Sequence, residues 1–112
     1  MTNARSERIK IMWHRAEEHA RLHERYNHAL WDVYIFGARY GGTYEGGKWL
    51  AWIGDHEWLD EHHGCDIECL HFWDDYQMAP IGRGNAPDEA LADLHRICVE
   101  GRERFTPPAQ DD

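Results

Sequence analysis

Serine is almost missing from this chain, and cysteine is scarce. Ser6 is the one serine, the threonines are Thr2, Thr43 and Thr106, and the cysteines are Cys65, Cys69 and Cys98. A nucleophilic hydroxyl needs a base and an orienting group beside it. These four hydroxyls fall at predicted ends, a helix start or a turn, so acyl transfer through serine or threonine has little to build on. Three thiols cannot all pair, which excludes a disulfide framework and leaves reduced cysteines as the expectation. Cys98 sits on the apolar stripe of a predicted helix, where a thiol is an inert packing group. No apolar run approaches the ~20 residues of a membrane span. The opening MTNARSERIK lacks the apolar stretch of a signal peptide. A cytoplasmic protein without a membrane partner is therefore expected. Basic residues are also few: 12 Lys and Arg against 21 Asp and Glu give a net charge of −9. Such a surface repels phosphate backbones, so no direct contact with nucleic acid is expected.

What is present is core-forming material. Over 112 residues, 42% are hydrophobic, with six Trp, five Tyr and three Phe, enough to exclude a disordered chain and to fill one domain. That domain is expected to span 1–112, with 1–5 and 106–112 frayed. Nine His make the charge sensitive to pH near 6, because protonating all of them would cancel the acidic excess.

Hydropathy patterning predicts an α+β fold: a three-stranded antiparallel sheet flanked by an N-terminal and a C-terminal helix, in the order α-β-β-β-α. A helix is predicted over about 6–28, where 100° steps put Ile9, Met12, Trp13, Ala16, Ala20, His23 and Asn27 on one stripe that continues to Leu30, opposite Glu17, Glu18, Arg21 and Arg25. Residues 31–40, WDVYIFGARY, read as a strand, and GGTYEGG as the connection to a second strand at 48–53. There Trp49, Ala51 and Ile53 alternate with Leu50 and Trp52, so both faces carry apolar load and one is a candidate interface. Residues 54–64 read as a loop or a single helical turn. The alternation in CDIECLHFW predicts a third strand at 65–73, with Cys65, Ile67, Cys69, His71 and Trp73 on one face, followed by a loop at 74–86. A helix is predicted over 87–104, opened by Pro87 and capped by Asn85 or Asp88, with Ala90, Leu91, Leu94, Ile97, Cys98 and Gly101 at helical spacing. Both helices are expected on one face of the sheet, leaving some of Trp52, Leu70 and Phe72 exposed on the other.

Reactive side chains crowd one stretch: His56, His62, His63, Cys65, Cys69 and His71. Thiolate and imidazole are the ligands zinc prefers. Cys65 and Cys69, four apart on a strand, would lie about 13 Å from each other. Cys69 with His71 on one strand face is easier, with His62, His63 or Cys65 completing a site. A zinc-stabilised regulatory module using residues 56–71 is the alternative reading, and no cofactor or metal is the expectation. His19 and His23 have a one-face helical spacing, but Ala20 stands where a metalloprotease helix carries its Glu. Gly82 and Gly84 before a helix suggest a phosphate loop, but Asp88 and Glu89 in the first turn would repel phosphate. No catalytic residues are assigned and no enzymatic activity is expected.

The run GRGNAPDEALADLHR, residues 82–96, resembles the strand-loop-helix signature of HicB-type antitoxins and of small phage or prophage α+β proteins. In that signature strands lead into a glycine, a short loop, and a helix opening with proline and acids. Pro87, Asp88, Glu89, Ala90 and Leu91 match the opening, and Ala86 replaces the expected hydroxyl cap. The order of elements is also similar to a double-stranded-RNA-binding domain, from which the chain departs where Asp88 and Glu89 replace a basic helix start. The antitoxin resemblance implies a binding role in toxin neutralisation or phage counter-defence, including inhibitors of the anti-CRISPR kind. Composition is compatible with it: an acidic protein can occupy a basic groove in place of nucleic acid. The expected partner is another protein with a basic surface, such as one that itself binds nucleic acid, and a homodimer is compatible with the same pattern. The candidate surface is the acid-rich stretch around Trp58, Trp73 and Tyr76, with Asp55, Glu57, Asp60, Glu61, Asp66, Glu68, Asp74 and Asp75. There carboxylates would steer and aromatics would anchor.

Overall fold

A computed structural model describes residues 4–26, 31–63 and 65–107. Helix α1 (Ala4–Tyr26) is followed by β1 (Tyr34–Gly37) and β2 (Trp49–Trp52). A short helix α2 (His56–Leu59) runs into a 3-10 turn at Asp60–His63, then come α3 (Asp66–Asp75), β3 (Ile81–Gly84) and α4 (Pro87–Glu100). The strands form one antiparallel sheet in the order β1-β2-β3. The α+β class, the three antiparallel strands and the terminal helices are as expected.

The third strand is a different segment from the one predicted. Residues 66–75 are helical, because Cys69, Phe72, Trp73 and Tyr76 recur at i, i+3, i+4 and i+7 and all are buried. The alternation seen over 65–73 stops short of Tyr76, the residue that reveals the longer period. Asp66 and Glu68 in the first turn also suit the positive end of a helix. The strand lies instead at 81–84, inside the expected loop, and its two glycines have a packing reason. A Cβ on Gly82 would stand 2.1 Å from the Ala90 carbonyl oxygen, and one on Gly84 would stand 2.6 Å from the Glu89 Cβ. Glycine in a strand interior marks such a close approach, here of α4.

Strand alternation then sorts the sheet into two faces. Ala51 lies opposite Gly82, and Trp49 opposite Gly84, so they share the α4 face with Ile35 and Gly37. Tyr34, Phe36, Leu50, Trp52 and Ile81 take the other face, where α3 packs: the Trp52 ring lies 5.8 Å from Phe72 and 5.1 Å from Tyr76. Both faces of β2 are therefore covered, and neither is the free interface the sequence suggested. Trp52 and Phe72 are fully buried, whereas Leu70 is exposed.

The N-terminal helix packs against α4 and reaches the segments that leave β2 and lead into β3. The Trp13 Nε1–H donates to the Met78 carbonyl at 2.8 Å, and Arg15 Nη1 to the Ile53 carbonyl at 3.4 Å. Ile9, Met12, Trp13 and Ala16 are buried as their stripe predicts. His19 is buried beside His95, ring centroids 5.9 Å apart. The side chain of His23, and Asn27 and Leu30 altogether, lie outside the described residues.

Helix α4 ends at Glu100, earlier than predicted. Gly101, counted as a stripe member from its spacing, has φ 83° and turns the chain out of the helix. Ala86 at the N-cap offers no side-chain cap, and Glu89 instead accepts the Asn85 N–H at 3.0 Å. The connection at 38–48 is organised by a carboxylate: buried Glu45 accepts the N–H of Tyr40 at 3.0 Å and of Tyr44 at 3.1 Å.

Candidate functional site

The layer formed by α2, the 3-10 turn and α3 carries every acidic residue of the expected surface, and α1 divides them into two groups. Three arginines one or two turns apart on α1 point into this layer. Arg5 meets Asp75 at 2.7 Å and Glu61 at 3.2 Å, Arg8 meets Glu61 at 2.9 Å, and Arg15 meets Asp55 at 2.7 Å. Their guanidinium planes also cover aromatic rings: Arg5 lies 5.2 Å from Phe72, Arg8 5.4 Å from Trp58, and Arg15 5.5 Å from Trp58 and 4.6 Å from Trp31. Asp55, Glu61 and Asp75 thus tie α1 to this layer. Burial alone would raise the Glu61 carboxyl, but hydrogen bonds and charge from Arg8 and Arg5 outweigh it and hold that carboxyl below its ordinary range.

The aromatic part of the expected surface is largely core. Trp73 and Tyr76 are buried against Trp52 and Phe72, and burial raises the Tyr76 hydroxyl above its usual range. Trp58 is half-buried beneath two arginines. The aromatic anchors expected of an interface centre are therefore committed to the fold.

What α3 turns outward is different. Ile67, Leu70, His71 and Asp74 recur at i, i+3, i+4 and i+7, and all four are exposed, Ile67 at 63% and Leu70 at 44%. Asp66 and Glu68 on α3 are exposed beside them, as are Glu57 on α2 and Asp60 at the start of the 3-10 turn in the same layer. An apolar strip rimmed by carboxylates results. Ile67 and Leu70 are not among the binding residues expected from the sequence, although Leu70 is among those expected to be exposed. The signal that finds them is the helical period of the buried set, which places 67, 70, 71 and 74 opposite it.

Among the described residues the His/Cys stretch does not converge. On a helix Cys69 and His71, two apart, point to opposite sides: Cys69 is buried, and His71 is exposed. Cys65 is exposed at the N-cap of α3. His62 is buried among Phe36, Phe72 and Trp73, its Nδ1 2.6 Å from the Leu59 carbonyl. The side chain of His63 lies outside the described residues. Among the described residues no group of three or more His, Cys, Asp or Glu is placed to hold a metal ion. This corrects the strand geometry on which the zinc alternative rested. Burial also raises the Cys69 thiol, with Glu45 adding to the effect, and pushes Cys98 up to about 12.

A cleft of about 610 Å³ adjoins the same layer, between β1 and α2. Among the described residues no helix is long and apolar enough to cross a membrane. Comparison with protein-family models, with curated proteins and with solved structures gives no match. Residues 82–96 do form a strand, a short turn and a helix, which bears on local shape alone.

Proposed function

We propose that this chain is a small, non-enzymatic protein that binds and blocks a basic surface of another protein, and that the outward face of α2 and α3 makes the contact. The observation that carries this reading is the exposed strip of Ile67 and Leu70 inside a rim of Asp66, Glu68 and Asp74 on the same helix. Interfaces commonly have an apolar centre with a polar rim, and the rim here is of one sign. With a net charge of −9, the chain attracts a basic partner at long range, while the two aliphatic side chains supply area that water leaves on contact. A partner whose own ligand is nucleic acid offers such a surface. The resemblance of residues 82–96 to HicB-type antitoxins points to toxin neutralisation or phage counter-defence as the setting.

The test is kinetic. A partner recovered from the native cell and purified should associate more slowly as salt rises. Changing Asp66, Glu68 and Asp74 to their amides should lower the association rate at low salt, and Ile67→Ser with Leu70→Ser should speed dissociation. A partner that proves to be DNA or RNA alone, or association rates indifferent to the amide changes, would refute the reading.

A further inference from the structure

The two edges of the sheet are built differently. On an antiparallel edge strand, alternate residues turn their N–H and C=O away from the neighbour. The Ala38 N–H donates to the Lys48 carbonyl at 2.8 Å, in register with the pairing of Gly37 and Trp49. Tyr34, Phe36 and Ala38 therefore bond towards β2, and Ile35 and Gly37 point outward. Carried through β2, the same alternation makes Ile81 and Arg83 the outward residues of β3. That edge is closed from within. Arg83 donates its N–H to Asp93 Oδ2 at 2.9 Å, its guanidinium donates to the Ile81 carbonyl at 3.0 Å, and the Ile81 N–H donates to the Ala79 carbonyl at 2.9 Å.

At β1 no hydrogen bond among the described residues closes Ile35 or Gly37, and a Cβ added at Gly37 would meet nothing within 4 Å. The cleft of about 610 Å³ runs along this edge, with Phe36 and Leu59 as apolar lining. Asp60 stands at one end, beside His56, whose ring packs 5.5 Å from Tyr34, and Arg39 lines the cleft beyond Phe36 and Gly37. An open row of donors and acceptors beside an apolar slot is the arrangement that captures an extended peptide.

We propose that the β1 edge takes an extended segment of another protein as a fourth strand, with alternating apolar side chains and a lysine or arginine at the Asp60 end. Outward N–H and C=O groups at two alternate residues give the added strand its register. Every second side chain of that strand then falls into the cleft against Phe36 and Leu59. Charge selects the occupant. Asp32 and Asp60 are exposed at the Tyr34 end, and the net charge of −9 sets a second copy of this chain against itself, as it does the segment ending in Asp111 and Asp112. The contact rests on the reading of the chain as a protein binder, and the two fail separately. Neutralising the carboxylates of α3 tests that reading with the cellular partner and leaves the β1 edge as it is.

The probe is a fluorescent heptapeptide alternating valine with lysine, compared with its valine-glutamate counterpart. Binding of the lysine peptide should slow hydrogen exchange at the Ile35 and Gly37 amides at least tenfold, and the glutamate peptide should not bind. Ile35→Pro removes an outward N–H without touching the β1-β2 ladder, so it should abolish binding at an unchanged urea midpoint. Should that variant fail to fold, exchange in the unaltered chain decides. Lysine-peptide binding without protection at Ile35 and Gly37, equal binding of the glutamate peptide, or binding by a folded Ile35→Pro chain would each overturn the proposal. So would protection of those amides without peptide in a chain that sediments as a dimer, which would make a second copy the occupant.

Discussion

Gly82→Ala isolates how closely α4 sits on the sheet. One methyl group is added, and its carbon would stand 2.1 Å from the Ala90 carbonyl oxygen, 2.6 Å from the Leu94 nitrogen and 2.8 Å from the Leu94 Cβ. Two of these neighbours are backbone of a packed helix, so no side chain can swing aside. Restoring contact distance requires α4 to lift by about 1 Å over β3, and interiors packed at crystal density resist such shifts. Leu94 and Ile97, buried on that helix, would move with it. Overpacking of this kind costs about 1–3 kcal/mol and more where backbone must yield. An opposing effect exists: alanine restricts the unfolded chain and gains ~0.4–1 kcal/mol.

Gly37→Ala supplies the control. It makes the same chemical change in a strand of the same sheet, with nothing within 4 Å of the new carbon, so the unfolded-state gain is shared and cancels in the difference. Urea unfolding followed by tryptophan fluorescence should place Gly82→Ala at least about 2 kcal/mol below Gly37→Ala. Equal midpoints for the two variants would refute the close seating of α4 on Gly82, and with it the assignment of faces built on that contact.

Leu94 is fully buried over the same glycine, so Leu94→Ala should cost about 2–5 kcal/mol in urea unfolding, whereas Leu91, exposed at 42%, should tolerate the change within about 0.5 kcal/mol. Glu61 has a folded-state pKa held below its ordinary 4.5. Its contribution is therefore present above the unfolded value and is lost as pH falls through the lower, folded one. Glu61→Gln should be less stable than the unaltered chain at pH 7 by up to about 1 kcal/mol, since these pairs are partly exposed. As pH falls through that lower, folded-state value the difference should shrink towards zero; a gap that stays constant with pH would remove the arginine contacts as its cause. Cys65 is exposed, while Cys69 and Cys98 are buried with raised thiols. Iodoacetamide on the folded chain, read by peptide mass, should label Cys65 first, and early labelling of Cys98 would contradict its burial.

The terminal helices and the first two strands are legible in the sequence because each has one dominant period and clear punctuation. Ile9, Met12, Trp13 and Ala16 announce α1, and Pro87 opens α4. The 65–73 segment is not legible at its own length: two-residue alternation and a helical stripe share Cys69 and Trp73, and only Tyr76 separates them. Gly82 and Gly84 mislead for a different reason. Their signal is that of a loop, whereas their cause is the approach of a helix from another part of the chain, which no local pattern encodes. The acidic surface is legible in position and misjudged in composition. The charge run at 55–75 does lie on one layer, but the pairing of Asp55, Glu61 and Asp75 depends on arginines some 40 to 70 residues away in sequence.

That pairing shapes what an approaching partner meets. It leaves the net charge at −9, so long-range attraction to a basic body is unchanged, but it removes local positive fields from the α2-α3 layer. Arg5, Arg8 and Arg15 lie at side-chain exposures of 25% or less against their carboxylates, whereas Asp66 and Glu68 are exposed. Field strength at contact range is set by nearest charges, because screening falls over about 8–10 Å at physiological salt. On the proposed reading, the carboxylates beside the exposed Ile67 and Leu70 would let steering and apolar contact act at one place. Were the arginines of α1 to turn outward instead, the same composition would present mixed charge there, and the chain would lose directional preference without any change in its net charge.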